Sequence, residues 1–482
     1  MSNHTQPEST EAGKFLDRLE ELVLILVDER FSSAADLWKI ELDLLKVQRE
    51  IQAAITTVIA TAKRERHANS ATNENLSDLR WARQQARRFG DALAWFYLDQ
   101  DRKVIYPLAR NDKVSPECGT DGERATLAAS QQLAADGFGF PLLHDITDCL
   151  RIGDVTFIRS DGVQTVELKT QVKNRVVNDD GSWKATYKIS LITASPLPDS
   201  FDPPSTVDDS GTDEMPGYFT NPPPRVVRQI KRMGEARAHQ DAEANKIGEH
   251  DGNSFITARS ESSAPSNHDA LAAIIENAYR YGYASQDVED TFIYVAFYDP
   301  NGIDLETVKD ERLSQHLLNS STLRSKSGRD SLLIRTVPAA ERRSAELYLP
   351  YFLLPLPSKA IIDMLRGRLL ILVLANGGRL IDALEAKGFT IEDASSTRKG
   401  FDLIVSFDLE DGEVPEKPIS GHIKDLHLHV EEMLHEFRSV EYLSDAVTGM
   451  RGAMKLLMPE MRRRQTSRSN DASAKPALGS QA

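Results

Sequence analysis

Two short stretches of the chain alternate apolar and polar residues with the period of a β-strand. They cover 152–159 and 163–171, are rich in Val, Ile, Phe and Thr, and are separated by Ser160, Asp161 and Gly162. An Asp-Gly pair between two such runs is a strong signal for a β-hairpin. Because side chains alternate between the two faces of a strand, the pattern predicts a hairpin with one apolar and one polar face.

The polar face of this hairpin brings two carboxylates and an ammonium group together. A two-residue or a four-residue loop at the turn places Asp154 opposite Lys169. The same register places Glu167 opposite Thr156. Glu167 is then a diagonal neighbour of Asp154, at roughly 7–8 Å or less.

Two carboxylates at this spacing can hold one hard cation such as Mg²⁺, which takes oxygen ligands and keeps several waters. A nearby lysine can orient an attacking water or stabilise charge in the transition state. Asp154, Glu167 and Lys169 therefore predict a metal-dependent phosphodiesterase centre. The alternative is an ordinary exposed hairpin face on which Asp154 and Lys169 form a structural ion pair.

The motif of Gly153-Asp154, twelve intervening residues and Glu167-Leu168-Lys169 resembles the PD-(D/E)xK nuclease superfamily, which includes restriction endonucleases and Holliday-junction resolvases. The resemblance covers about a third of the chain. It implies an αβββαβ core, Mg²⁺-dependent cleavage of DNA with Mn²⁺ as a substitute, metal ligation by Asp154 and Glu167, and a catalytic Lys169. Gly153 departs from the family pattern, because it stands in place of the proline.

Two further candidates enter through the same resemblance. Glu123 opens a helix predicted over 122–135 and corresponds to a glutamate that joins the site in some members. Gln171 extends the motif to ExKxQ and could touch the scissile phosphate or a metal-bound water. Two other acid-x-Lys patterns, 101–103 and 385–387, lie in a polar turn and at a helix end, and so lack the context of an apolar-backed strand.

The N-terminal region has the spacing of amphipathic helices, predicted over 14–29 and 32–63, and then over 78–98 after a polar break at 67–77. Apolar residues of the second helix recur at spacings of three and four, which is typical of a coiled-coil seam. This seam either closes a helical hairpin within one chain or forms a dimerisation arm. A homodimer would matter for an enzyme that cuts two strands.

Downstream of the hairpin the pattern predicts a strand over 183–193, a flexible acidic loop over 195–224 and a basic helix over 225–246. A polar loop over 248–267 follows, and the helix 269–281 and the strand 291–298 are expected to complete the nuclease-like sheet. DNA-binding candidates are the basic residues of the hairpin strand and the basic helix, namely Lys173, Arg175, Arg225, Arg228 and Arg232.

The chain of 482 residues is long enough for several domains. We expect an α/β protein with a disordered segment 1–13, a helical region 14–110, a nuclease-like core 115–300 with a long insertion, a further α/β region 301–463 and a disordered tail 464–482. The C-terminal region lacks a phosphate-loop GxxxxGK[ST] pattern and a GxSxG elbow.

Composition narrows the class of protein. The formal net charge is −15, so no global basic surface attracts nucleic acid, and a DNA-binding surface has to be local. Two cysteines offer no disulfide framework, which suits a reducing cytoplasm. No apolar stretch near the N-terminus is long enough to span a bilayer, so we expect a soluble cytoplasmic protein.

These observations predict a Mg²⁺-dependent deoxyribonuclease, with a role in prokaryotic defence or DNA repair by analogy alone. The alternative is a catalytically inactive nuclease-fold scaffold or DNA-binding interaction protein.

Overall fold

The computed structural model describes residues 10–31, 33–65, 70–109, 121–160, 162–177, 183–193, 206–207, 247–250, 253–256, 265–303, 317, 320–326, 328–338, 348–397, 400–409, 419–423 and 426–455. These residues form a mixed α/β protein in which long N-terminal helices pack against antiparallel sheets. None of the helices in this part of the chain is long and apolar enough to cross a membrane.

Three helices form the N-terminal layer: α1 (Glu11–Val27), α2 (Ala34–Glu65) and α3 (Ser70–Tyr97). The Thr10 side chain caps α1 by accepting a hydrogen bond from the Gly13 amide. Helix α3 starts at Ser70, so the break predicted over 67–77 is wrong from that residue onward. No residue over 71–78 is buried, and this first part of the helix precedes the buried part, which begins at Leu79.

The seam of these helices is used within one chain. The apolar residues at its three- and four-residue spacings are buried, namely Leu19, Leu22, Leu26, Ile40, Leu44, Val47, Ile51 and Ala54. This is the arrangement that the helical-hairpin alternative requires. A homodimer through this seam therefore has no support in the structure.

The first sheet follows two shorter helices, α4 (Arg102–Leu108) and α5 (Asp121–Ala135). Its five strands are antiparallel neighbours in chain order: β1 (Phe140–Leu143), β2 (Val155–Arg159), β3 (Gly162–Val177), β4 (Trp183–Thr193) and β5 (Thr206–Val207). The hairpin of β2 and β3 is thus present. Strand β5 falls inside the segment that was predicted to be a flexible loop.

The register predicted for this hairpin is wrong by two residues. Arg159 pairs with Gly162, and Thr156 pairs with Thr165 rather than with Glu167. The reason lies at the turn, where Gly162 has a φ of +135° and belongs to the last pair of the ladder instead of the loop. Because a shift of two residues preserves the faces of a strand, the polar side chains stay together.

A second sheet has the strand order β10-β11-β9-β8, and all its pairs are antiparallel. Its elements are α6 (His268–Tyr281), β8 (Tyr283–Val288), β9 (Phe292–Tyr298), β10 (Leu332–Val337), α7 (Ser358–Leu365), β11 (Leu369–Asn376) and α8 (Gly377–Ala386). The prediction that the helix near 269–281 and the strand near 291–298 complete the first sheet is therefore wrong. Strand β9 is buried on both faces and pairs with β11, across the boundary that was predicted at 300.

The remaining described elements are two small antiparallel sheets and two helices. A hairpin of β6 (Ile247–His250) and β7 (Asn253–Ile256) lies where a polar loop was predicted. Strands β12 (Thr390–Thr397), β13 (Gly400–Leu409) and β14 (Ile419–Ile423) precede α9 (His427–His435) and a helix over 440–455. One cluster of buried apolar residues joins the N-terminal helices to the first and second sheets.

Candidate active site

The backbone of Asp154 is held where the chain enters β2. Its amide donates to the carbonyl oxygen of Val166 at 2.9 Å, and its carbonyl accepts from the amide of His144 at 3.0 Å. Its carboxylate atom Oδ2 accepts from the backbone amide of Leu168 at 2.6 Å. These bonds set Asp154 beside the Glu167–Lys169 segment of β3.

The backbone at Gly153 excludes proline from this position. Its φ is +84°, which proline cannot adopt because its ring holds φ near −65°. A Cβ atom at this position would also lie 2.6 Å from Cγ2 of Thr165 on β3. Only glycine satisfies both conditions at the entry to β2.

Glu167 and Lys169 follow each other on the same face of β3. The Glu167 side chain is buried, and Nζ of Lys169, on a partly exposed side chain, donates to its Oε1. Leu168, between them, points to the other face and joins the hydrophobic core. The structural alternative of an Asp154–Lys169 pair is thus replaced by contact between Lys169 and Glu167.

Asp154 is the titrating group at this site. The pKa of its carboxyl is raised to about 7, first by burial and then by the neighbouring Glu167 charge, while the hydrogen bond from the Leu168 amide and the Lys169 charge lower it. A carboxyl with this pKa exchanges its proton near neutral pH. Cation binding here would therefore release a proton over the same range.

Asp145 is a member of the site that the sequence pattern did not reveal. It lies in a 3₁₀ turn, His144–Ile146, directly after β1. Its pKa is raised by burial and by the Glu123 charge, and its own charge raises the pKa of Asp154. Asp145 is nevertheless exposed, so solvent reaches this side of the site. A polar pair after an apolar strand was the only sequence signal.

Glu123 lies beside this turn on α5, with a side chain only 6% exposed. Its Oε1 accepts from Nε of Arg49, a residue of α2, at 2.8 Å. Arg49 and Arg87 both lower the pKa of Asp145, which places their charges near the same carboxylate. Glu123 is thus paired with an arginine, and its charge acts on Asp145.

The N-terminal helices hold the turn that carries Asp145. Nε2 of Gln48 donates to the carbonyl oxygen of Ile146 at 2.9 Å. Arg87 donates to the carbonyl oxygens of Asp145 and Thr147, so it is a structural residue rather than part of a phosphate-binding surface or a solvated face. The helical layer therefore builds one wall of the site.

The loop between this turn and Asp154 is fixed by buried charge. Nε of Arg87 donates to Oδ1 of Asp148 at 2.9 Å. Oδ1 of Asp91 accepts from the amides of Asp148, at 2.6 Å, and Cys149, at 2.7 Å. Burial, with the Asp148 charge as a second cause, raises the pKa of Asp91 to about 7.

We refer to the linked charges as the carboxylate network. Its acidic members are Glu123, Asp145, Asp148, Asp154 and Glu167, and its basic members are Arg49, Arg87 and Lys169. When all are ionised, the five carboxylates exceed the three cations by two negative charges. A divalent cation would neutralise this excess. Among the residues that the structure describes, no three His, Cys, Asp or Glu side chains form a metal site by themselves.

The other predicted site residues are described less fully. Gln171 continues β3 two residues beyond Lys169 and pairs with Lys188 through the backbone. Lys173 lies at a register shift of β3, and Arg175 follows it opposite Ala185. The side chains of Gln171, Lys173 and Arg175 are outside the described set, and Arg225, Arg228 and Arg232 lie wholly outside the described residues.

No known protein family, curated protein or solved structure matches this chain. The geometry and chemistry of the carboxylate network are therefore the features of the molecule that indicate a function.

Because the pKa of Asp154 is raised in the folded protein, the free energy of unfolding should fall as pH rises toward 7. Folding binds a proton at Asp154 between the ordinary pKa near 4 and the folded value of about 7, so this group's contribution is complete below pH 4 and is lost as pH rises through 7. In EDTA, the free energy of unfolding should fall more steeply from pH 5 to 7 for the wild type than for Asp154→Asn, by up to about 1.4 kcal/mol per pH unit.

Urea unfolding at several pH values measures this difference, and Asp91 titrates in both proteins and cancels. Parallel pH profiles for the two proteins would contradict the prediction.

Proposed function

We propose that this protein is a Mg²⁺-dependent deoxyribonuclease that hydrolyses phosphodiester bonds of DNA at the carboxylate network. The observation that carries the proposal is the position of Asp154 beside Glu167 and Lys169, with Asp154 and Lys169 partly exposed to solvent. Two carboxylates with an adjacent ammonium group suit this reaction better than a purely structural role. In a structural role, a carboxylate that is buried without a counter-charge destabilises the fold.

The donor set fits Mg²⁺, with Mn²⁺ as a substitute. Asp154 and Glu167 would hold the cation through carboxylate oxygens, which are the ligands that a hard cation takes, together with waters and substrate phosphate. The network's excess of two negative charges supports this assignment. When bound, such a cation neutralises phosphate charge and lowers the pKa of a coordinated water.

The other steps of the proposed reaction are assigned to side chains of the protein. Asp154 loses its proton near pH 7, which makes its carboxylate available to a cation. Lys169 neutralises Glu167 in the cation-free protein, and once Glu167 is engaged elsewhere the ammonium group can orient water or stabilise negative charge on the phosphate. Glu123 and Gln171 assist as the outer members, Glu123 through Asp145 and Gln171 from its place on β3.

DNA is the proposed substrate and partner. The phosphate backbone of DNA requires local positive charge on a chain with a net charge of −15. Lys173, Arg175, Arg225, Arg228 and Arg232 supply it in the proposal, because the first two continue the β3 strand that carries Lys169. A role in prokaryotic defence or DNA repair and a cytoplasmic location belong to the same proposal.

Cleavage of single-stranded, duplex and branched DNA tests this function, with Mg²⁺, Mn²⁺ or EDTA present. We expect metal-dependent cutting by the wild type and a loss of at least about a thousandfold in Asp154→Asn and Glu167→Gln. Glu385→Gln is the matched control, because Glu385 belongs to another acid-x-Lys pattern, lies at the end of α8 and is exposed. It should cut like the wild type.

The second candidate is a nuclease-fold scaffold or DNA-binding protein without catalysis. The contact that favours it is Lys169 on Glu167, which already compensates one of the two proposed ligands. This candidate predicts that the wild type and both variants bind DNA tightly with or without metal and cut no substrate. That result would establish this candidate and reject the nuclease.

A further inference from the structure

Arg49 is a charged residue of the carboxylate network that the nuclease motif does not include. It lies on α2, and its Nε is held by the buried carboxylate of Glu123 at 2.8 Å. The side chain is 31% exposed. Its Nη2 is buried and has no hydrogen-bond partner among the described residues. The guanidinium group is thus held through Nε by Glu123, on a side chain that is partly open to solvent.

The guanidinium group of Arg49 lies near the site, because its charge acts on carboxylates of the network. Arg49 lowers the pKa of Asp145, and Asp145 raises that of Asp154. Asp145 is reached by solvent, and Lys169 is bonded to Glu167 at the other end of the network. The network therefore carries a cation at each end, one on α2 and one on β3.

Electrostatic repulsion opposes the binding of a nucleic-acid strand across the carboxylate network. Its phosphates are repelled by the network's excess negative charge, and a single bound cation serves only the phosphate that reacts. A second phosphate needs a cation of the protein. Arginine suits that task because its planar fork donates two parallel hydrogen bonds to phosphate oxygens. The partly exposed side chain of Arg49, fixed by Glu123 beside Asp145, supplies such a cation.

We propose that Arg49 binds a backbone phosphate of the DNA strand next to the one that is cleaved, so that the N-terminal helices anchor the substrate. The identity of the strand rests on the proposed nuclease function. The competing role is structural, in which Arg49 only neutralises the buried Glu123. Removing Arg49 alone would leave that carboxylate without its partner and could damage the fold, so the test needs a variant that removes both charges.

Four variants separate the two roles: Arg49→Gln, Glu123→Gln, the double variant R49Q/E123Q, and Arg18→Gln. The double variant leaves no buried charge without a partner. Arg18 is the matched control, since it pairs with Glu50 of α2 on the exposed surface of the same helical layer. Urea unfolding checks that each variant keeps its fold.

The readout is the affinity for labelled duplex and single-stranded DNA as a function of salt, in EDTA and with Ca²⁺ in place of Mg²⁺. We expect R49Q/E123Q to bind about tenfold more weakly and to lose roughly 0.9 from the salt slope on duplex DNA, or roughly 0.7 on single strands, because one phosphate contact is gone. Arg18→Gln should keep the wild-type slope. With Mg²⁺, the double variant should have a KM about tenfold above that of Glu123→Gln, with a smaller difference in kcat between these two variants.

The outcomes separate this inference from the proposed function. Wild-type binding and cutting by R49Q/E123Q, with Arg49→Gln alone impaired, would reduce Arg49 to the partner of Glu123 and leave the nuclease intact. A reduced salt slope in a protein that never cuts would support Arg49 as a phosphate anchor and reject the nuclease. Failure of the wild type to bind DNA in either condition would overturn the inference.

Discussion

Lys169→Met should abolish DNA cleavage and, in the same protein, strengthen binding of a divalent cation. Methionine keeps the unbranched apolar part of the side chain and removes the ammonium group that Glu167 contacts. Loss of a charge that acts on the transition state should reduce kcat by at least about a thousandfold. Loss of a positive charge beside Glu167 should tighten Mn²⁺ binding by about tenfold or more.

Isothermal titration with Mn²⁺ and a cleavage assay on the same preparation measure the two effects. Lys387→Met is the matched control, because Lys387 closes an acid-x-Lys pattern at the exposed end of α8. It should change neither cleavage nor Mn²⁺ affinity. Full cleavage by Lys169→Met would show that Lys169 only neutralises Glu167, and unfolding of this variant would assign the pair to stability.

Gly90→Ala should have the largest effect of any Gly→Ala change among the glycines that the structure describes, since Gly90 has the shortest contact. Gly90 lies inside α3, where alanine normally stabilises a helix by about 1 kcal/mol. A Cβ atom at Gly90, however, would lie 1.8 Å from the carbonyl oxygen of Ile146, in the turn that carries Asp145. The turn has to move, and we expect a loss of about 3 kcal/mol or more in the free energy of unfolding.

Gly452 provides the opposite case. It also lies inside a helix, over 440–455, and a Cβ atom there would meet nothing within 4 Å. Gly452→Ala should therefore stabilise the protein by about 0.5–1 kcal/mol. Urea unfolding of both variants compares the two signs directly. Equal effects at the two positions would mean that α3 does not approach the turn as closely as the structure shows.

Displacement of the turn by Gly90→Ala should also change the site. His144 donates its amide to the Asp154 carbonyl, so movement of the turn disturbs Asp154 as well as Asp145. The pH at which Asp154 titrates should fall, because a looser turn exposes the carboxyl to water. An unchanged titration in a destabilised protein would separate the packing of the turn from the electrostatics of the site.

The hairpin illustrates how much of the site was predictable. Its two strands, its turn and the shared face of Glu167 and Lys169 follow from alternation and from the turn residues. The pairing of Asp154 was wrong by two residues, because several loops fit the turn and only the backbone of Gly162 selects one. The faces survived this error, since a strand repeats every two residues.

The second sheet shows where prediction failed. Strand β9 has the pattern of a buried strand wherever it pairs, so its sequence does not distinguish a neighbour in the first sheet from β11. Pairing between distant segments depends on how the whole chain packs. The same limit hid Arg49 and Asp145, whose contribution arises only when α2 is placed against the turn after β1.

The sequence by itself determined the local elements: amphipathic helices from their three- and four-residue spacing, the hairpin from its alternation and turn, and the acid-x-Lys face that suggests the chemistry. Each of these depends on residues a few positions apart. Only the tertiary structure decided which strands share a sheet, that the helical seam closes within one chain, and that five carboxylates meet three cations. Those contacts join segments far apart in the sequence, and their free energies depend on burial and neighbouring charge, which local patterns do not encode.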